Sequence, residues 1–170
     1  LGEVYKDVVM LRAKCGTYWD PTLQVYPGFR FQAQDYMNWK YWRNHIDEKM
    51  SYYLPIDELK KVEQACPLDS IDPGFVTPSK IDARVRHEGG KVVLGSHGND
   101  KGIGAHNEIW ALHAGGLTNL EALQAATILG AQALGIQQDL GSLEVGKIAD
   151  LIVLDKNPLK DIHNSRYIRY

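Results

Sequence analysis

Apolar and polar positions change period several times along this chain, and each change marks an element. Val4, Val8, Val9, Leu11 and Ala13 recur at helical spacing up to Cys15 and Gly16, where the glycine is placed to end a helix. Thr17, Tyr18 and Trp19 are strand formers. After Asp20 and Pro21, residues 22–26 predict a strand that reaches a rim and turns outward at Pro27 and Gly28. Over residues 29–53, aromatic and charged side chains mix at helical spacing, with Tyr36, Trp39 and Arg43 on one side and Met37, Tyr41 and Asn44 on another, which predicts one helix. Residues 66–78 hold three prolines and a glycine and read as an irregular crossing loop.

Beyond Pro78 the pattern becomes regular. Ser79 is placed to cap a helix running to His87, Gly89 and Gly90 end it, and residues 91–94 form a short buried strand. Residues 95–104 then carry four glycines around Ser96, His97, Asn99 and Asp100, a polar loop just past the C-terminal end of a strand, where α/β proteins build their sites. A helix over residues 106–114 ends at Gly115 and Gly116. Thr118 with Glu121 has the spacing of a capping box and opens an apolar helix over 120–134. Residues 141–146 read as a turn, residues 149–154 as a hydrophobic strand stopped by Asn157 and Pro158, and residues 165–170 as a further strand in progress. Helices feeding short buried strands place the chain in the α/β class.

Composition narrows the function classes. The 170 residues are 44% apolar and 24% charged, as in a soluble globular domain. A formal charge of −2 and a pI near 6.3 give no general attraction for phosphate backbones or anionic membranes, so neither nucleic acid nor membrane is the expected partner. Apolar runs such as 109–112 and 151–154 are far below the roughly 18 to 20 residues of a membrane span. The first fourteen residues are charged and amphipathic, unlike a signal peptide, and the chain is expected to begin and end within a longer protein. Cys15 and Cys66 form no CxxC, which excludes a zinc knuckle or a disulfide framework and leaves two plain thiols, buried or half-exposed. They do not indicate a compartment.

The stretches VVLGSHG (92–98), HNE (106–108), GLTNLEALQAA (116–126) and GSLEVGKIADLIVLDKNP (141–158) together resemble the amidohydrolase superfamily, and are most similar to its imidazolonepropionase-like members, especially those fused behind a β-propeller. The resemblance implies the C-terminal part of a (β/α)8 TIM barrel over residues 1–140, with strand seven at 17–25 and strand eight at 92–95. Residues 141–170 would then be the connection returning to a small β-sandwich. It also implies a parent enzyme that hydrolyses a C–N bond, in an amide or cyclic amide, with water activated by a divalent metal, zinc foremost. The expected partners are a small-molecule or peptide-like substrate, the rest of the parent chain and further copies of itself.

By position, His97 stands where most relatives carry the aspartate of a GTD motif, a metal ligand or general base, so the resemblance makes His97 the catalytic or metal-binding residue. His106, Glu108 and Asn99 are the candidates for binding substrate or supporting the loop at the mouth. The family's His-x-His pair is absent: His45, His87, His97, His106, His113 and His163 are all isolated, and His106 and His113, on the 106–114 helix, lie two turns apart, roughly 10 Å, too far to share an ion. The chain alone is therefore expected to be inactive and to bind no catalytic metal tightly.

Structural readings stand beside these. His97 could bond backbone without doing chemistry, Glu108 could serve the dipole of its helix, and Asp100 reads as a solvated carboxylate. The aromatic segment 26–45 could line a pocket or fill a core, and with Arg30, Lys40 and Arg43 it allows an aromatic-lined binding module. The alternative to an enzyme is thus a non-catalytic scaffold or such a module. Two barrel strands cut from their neighbours would expose unpaired edges and apolar helix faces, which predicts burial by a longer polypeptide or by oligomerisation.

Overall fold

The computed structural model describes residues 4–27, 33–42, 57, 73–97 and 102–170. Helix α1 (Lys6–Lys14) has Asp7 in its first turn and Arg12 and Lys14 in its last, the arrangement the helix dipole favours, and it presents Val9 and Ala13 to the core. Gly16, at φ 76°, turns the chain into β1 (Tyr18–Trp19). This strand pairs in parallel with β2 (Lys91–Val92), Tyr18 opposite Lys91 and Trp19 opposite Val92. The pairing continues one step further through Val93 N–H to the Trp19 carbonyl at 2.9 Å. Two parallel strands joined through helices are the α/β arrangement that the sequence predicts.

Between the strands lie α2 (Ala33–Met37), which continues as a π-helical turn over Asn38–Trp42, and α3 (Val76–His87). After β2 come α4 (Ile103–Ala114), α5 (Asn119–Ala125) and α6 (Ile128–Leu134). Helix α4 is the centre of the molecule. It touches α2, α3, α5 and two 3-10 turns, at Leu23–Val25 and Ile162–Arg166, and every residue from Asn107 to Leu112 is buried. Around it Leu23, Met37, Phe75, Val85, Val92, Leu117 and Ile162 close the core.

Several boundaries differ from the sequence expectation, each for a local reason. Within residues 22–26 the chain forms a 3-10 turn, Leu23–Val25, and not a strand, because the Leu23 and Gln24 N–H groups are drawn onto the Glu108 carboxyl and cannot join a ladder. Helix α3 begins at Val76, so Ser79 is inside the helix. Its buried hydroxyl bonds the Ala111 carbonyl of α4 and caps nothing. Helix α4 begins at Ile103, three residues early, where Gly102 at φ 87° turns into it. The single helix expected over 120–134 is two: the Ala125 carbonyl, which a continuous helix would use internally, accepts from Leu94 N–H at 3.2 Å, and α6 restarts after Thr127. The Thr118–Glu121 capping box forms as expected.

The strand expected over 149–154 reduces to one antiparallel bridge, Leu154 with Ile168, flanked by Val153 N–H to the Tyr170 carbonyl at 2.8 Å. Residues 165 and 166, expected to open the last strand, belong instead to the 3-10 turn, where Asp161 caps by accepting from His163 N–H. Cys15 is exposed, while Cys66 lies outside the described residues. The helix expected over 29–53 is described only at 33–42; its remainder, and most of the loop expected over 66–78, lie outside the described residues. No helix among the described residues is long and apolar enough to cross a membrane.

Candidate functional site

Three successive residues of α4, His106, Asn107 and Glu108, each hold a different part of the fold. Glu108 is fully buried and accepts from Leu23 N–H at 2.6 Å and Gln24 N–H at 3.2 Å, which fixes the turn after β1. Burial pushes its carboxyl up to about 8 against the lowering effect of those two bonds, and Asp82 and Asp20 nearby raise it further. Asn107 is also fully buried; its Nδ2 donates to Asn38 Oδ1 at 2.7 Å and its Oδ1 accepts from Trp42 Nε1 at 2.8 Å, so it secures the π-helical turn. His106 faces the C-terminal turn, with Nδ1 and Ser165 Oγ 3.0 Å apart, and packs among Trp42 and Trp110. Burial, with the nearby Arg166 charge, lowers it to about 4, so at neutral pH it is an uncharged ring.

His97 stands exposed just past β2. The residue before it, Ser96, accepts through Oγ from Gln24 Nε2 at 3.1 Å. Glu108 is thereby connected to the His97 loop through the backbone and side chain of Gln24. Asn99 and Asp100 lie outside the described residues. On the other side of β1, Asp82 of α3 accepts from Trp19 Nε1 at 2.7 Å, and the Arg12 guanidinium lies 3.8 Å over the Trp19 ring. Burial raises Asp82 to about 7, while the Trp19 bond and Arg12 oppose the shift, and its Oδ2 has no partner among the described residues. A cavity of about 250 Å³ opens there, lined by Arg12, Trp19, Tyr26, Pro78 and Asp82 among others.

Sequence reading brought His106 and Glu108 forward, named Ser96 only as part of the polar loop and Asn107 only within the HNE stretch, and missed Gln24 and Asp82. Asp82 had one visible signal: it is a lone acid between Ile81, Ala83 and Val85 on an apolar helix face. Gln24 had none, since an amide in a turn carries no period. The aromatic segment is core where it is described: Trp42 stacks on Trp110 at 5.1 Å between centroids, and Tyr41 meets the same ring edge-on at 5.3 Å.

Residues 75–167, more than half of the chain, match the sequence profile of the amidohydrolase family. The chain belongs to that family. Among curated relatives, a 5′-deoxyadenosine deaminase of Methanobrevibacter smithii is 58% identical over 41 residues, covering 24% of this chain and 9% of its own length. An imidazolonepropionase of Symbiobacterium thermophilum is 56% identical over 39 residues, covering 23% and 9%. A solved Xaa-Pro dipeptidase superposes with a TM-score of 0.60 at 22% identity, covering 97% of this chain and 35% of that one. The chain thus shares its fold with about a third of that dipeptidase, and the matched stretches span about a tenth of the curated relatives' length. Among the described residues of this amidohydrolase chain, no three His, Cys, Asp or Glu side chains converge into a metal-holding group. His97 does not by itself make a metal centre.

Proposed function

We propose that β1 and β2 are the seventh and eighth strands of an amidohydrolase barrel, and that the parent enzyme hydrolyses a carbon–nitrogen bond in a small amide, cyclic amide or peptide-like substrate. The observation that carries this is the family match over residues 75–167, which runs from α3 through β2 and α4 to the C-terminal turn. The deaminase and dipeptidase relatives support it, since each is named for cleavage at a carbon–nitrogen bond. His97, exposed at the strand end where barrel enzymes place reacting groups, is the residue of this chain that reaches the substrate, with Asn99 on the same loop. Glu108 supports that end from within the core, while His106 holds the C-terminal turn through Ser165.

A divalent metal, zinc foremost, supplies the activated water in this reading. Among the described residues no group forms its site, and its ligands are proposed to come from the rest of the barrel, with His97 added from here. Residues 141–170 are proposed to lead into a β-sandwich, and their exposed apolar residues to be covered by the remainder of the parent chain or by another copy.

The test uses the full-length parent with four probes: an N-acyl amino acid, an Xaa-Pro dipeptide, an imidazolone and 5′-deoxyadenosine. Turnover of at least one, abolished by a chelator and restored by zinc or another divalent ion, is expected. A folded, metal-supplemented protein inert toward all four classes overturns the reading.

A further inference from the structure

The loop that carries His97 is held by the turn after β1 at two successive residues. At Gly95, three residues past β2, a Cβ would overlap Asp20 Oδ1 and the Pro21 carbonyl oxygen, so the chain leaving β2 lies flush against that turn only because the residue is glycine. One residue on, Ser96 Oγ takes the Gln24 Nε2 donor. Gln24 is itself fully buried, a rare place for an amide, and its own N–H is held by Glu108. The returning end of the loop closes on the same side chain. A Cβ at Gly104 would stand 3.2 Å from Gln24 Oε1 and 3.4 Å from Ser96 Oγ, so a methyl there would press on the bond between them.

We infer that Gln24 is a positioning residue, and that the Glu108–Gln24–Ser96 chain fixes where the backbone leaves β2 and hence where His97 stands. This rests on the reading of His97 as a group of the reacting site. Each link has a separate task. Glu108 sets the turn through two backbone bonds, Gln24 carries that setting across to the next loop through its amide, and Ser96 passes it to the adjacent residue through the main chain. Packing alone would need only a side chain of this volume at position 24. The donor aimed at Ser96 is what an apolar isostere would lack.

The experiment compares wild type, Gln24→Met, Ser96→Ala, Ser96→Thr and the Gln24→Met/Ser96→Ala double variant in the full-length protein, with two readouts. The first is the ring resonance of isotope-labelled His97, assigned by its disappearance in His97→Gln. One sharp signal is expected in wild type and Ser96→Thr, and a split or broadened one in Gln24→Met and Ser96→Ala, with melting temperatures within a few degrees of each other. The second is turnover of whichever of the four probes the wild type hydrolyses. There kcat falls roughly ten- to hundredfold in both single variants with KM little changed, since small misplacements near the chemistry cost on that scale. The double variant is no worse than the poorer single one, as expected for residues acting in one chain. An unchanged His97 signal in Gln24→Met overturns the inference whether or not any probe is turned over. Additive losses in the double variant overturn it as well. Absence of turnover with the resonance changes intact removes the hydrolase reading and leaves the positioning chain standing.

Discussion

Helix α4 and the segment after α6 are built from similar apolar residues and end in opposite environments. In α4, Ile109, Trp110, Ala111 and Leu112 are all buried, and the polar residues before them are each satisfied by a named partner. After α6, Leu143, Val145, Ile148, Leu151 and Ile152 are all exposed, although the sequence GKIADLIVL has as strong an apolar signal as any in the chain. The difference is one of partners. Among the described residues five elements surround α4, whereas 149–154 finds one antiparallel bridge and three backbone bonds, all between Val153 and Arg169 or Tyr170. Apolar pattern states that a segment wants to be buried; topology decides what does the burying.

The strongest way to break this contrast is to remove the side chain on which both regions meet. Trp110 is buried, stacks with Trp42, and donates through Nε1 to the Ile162 carbonyl at 3.1 Å and Ser165 Oγ at 3.0 Å, so it fastens the C-terminal turn to α4. Trp110→Ala is expected to cost about 3–5 kcal/mol. Limited proteolysis should then cut the 136–170 segment well before the rest; equal cutting throughout would show that the turn is held by other contacts.

Glu108→Gln is the next largest change. The carboxyl serves two N–H groups, and a glutamine has one oxygen to offer, so one buried donor is left facing another at a cost of about 1–3 kcal/mol. Its pH dependence has a definite sign. With the folded value raised from 4.5 to about 8, the stability associated with Glu108 is fully present below pH 4.5 and is lost as pH rises toward 8; Asp82, raised from 3.8 to about 7, acts in the same direction. His106, lowered from 6.5 to about 4, acts oppositely: its contribution is present above pH 6.5 and is lost as pH falls through 4. Melting temperature should therefore decline from pH 6.5 to 8 in the wild type, and more shallowly in Glu108→Gln. Parallel slopes would remove Glu108 as the titrating group.

Much of the α/β frame was readable because its signals are local. Gly16 ends α1, Gly89 follows α3 and the Thr118 box starts α5, each at or near its expected place, since a glycine or a cap acts on the turn it sits in. What was not readable depends on a bond across the chain. The α5–α6 break is set by Leu94, some thirty positions upstream, and the rim turn at Leu23 by Glu108, more than eighty downstream. The site divides the same way. Glu108 was visible as a polar residue at the head of an apolar helix, whereas the task of Gln24 exists only once α4 and the two strand ends are side by side.

Smaller effects sharpen the comparison. Thr118→Ala should lose about 1 kcal/mol through the cap alone, measurable as a shift of the denaturant midpoint with an unchanged slope. Val145→Ser, at a fully exposed position in the C-terminal segment, should change stability by no more than about 0.5 kcal/mol. A larger loss in the full-length protein than in this span would locate a covering surface on Val145.

Gly104 and Ser96 both abut Gln24, so the stretch between them departs from and returns to one fixed point. For a chain segment whose two ends are held at one point, the closure entropy rises by only about 0.6 kcal/mol for each doubling of length. Insertions between these two anchors are therefore expected to cost little stability, provided that Gln24, Ser96, His97 and Gly104 are kept.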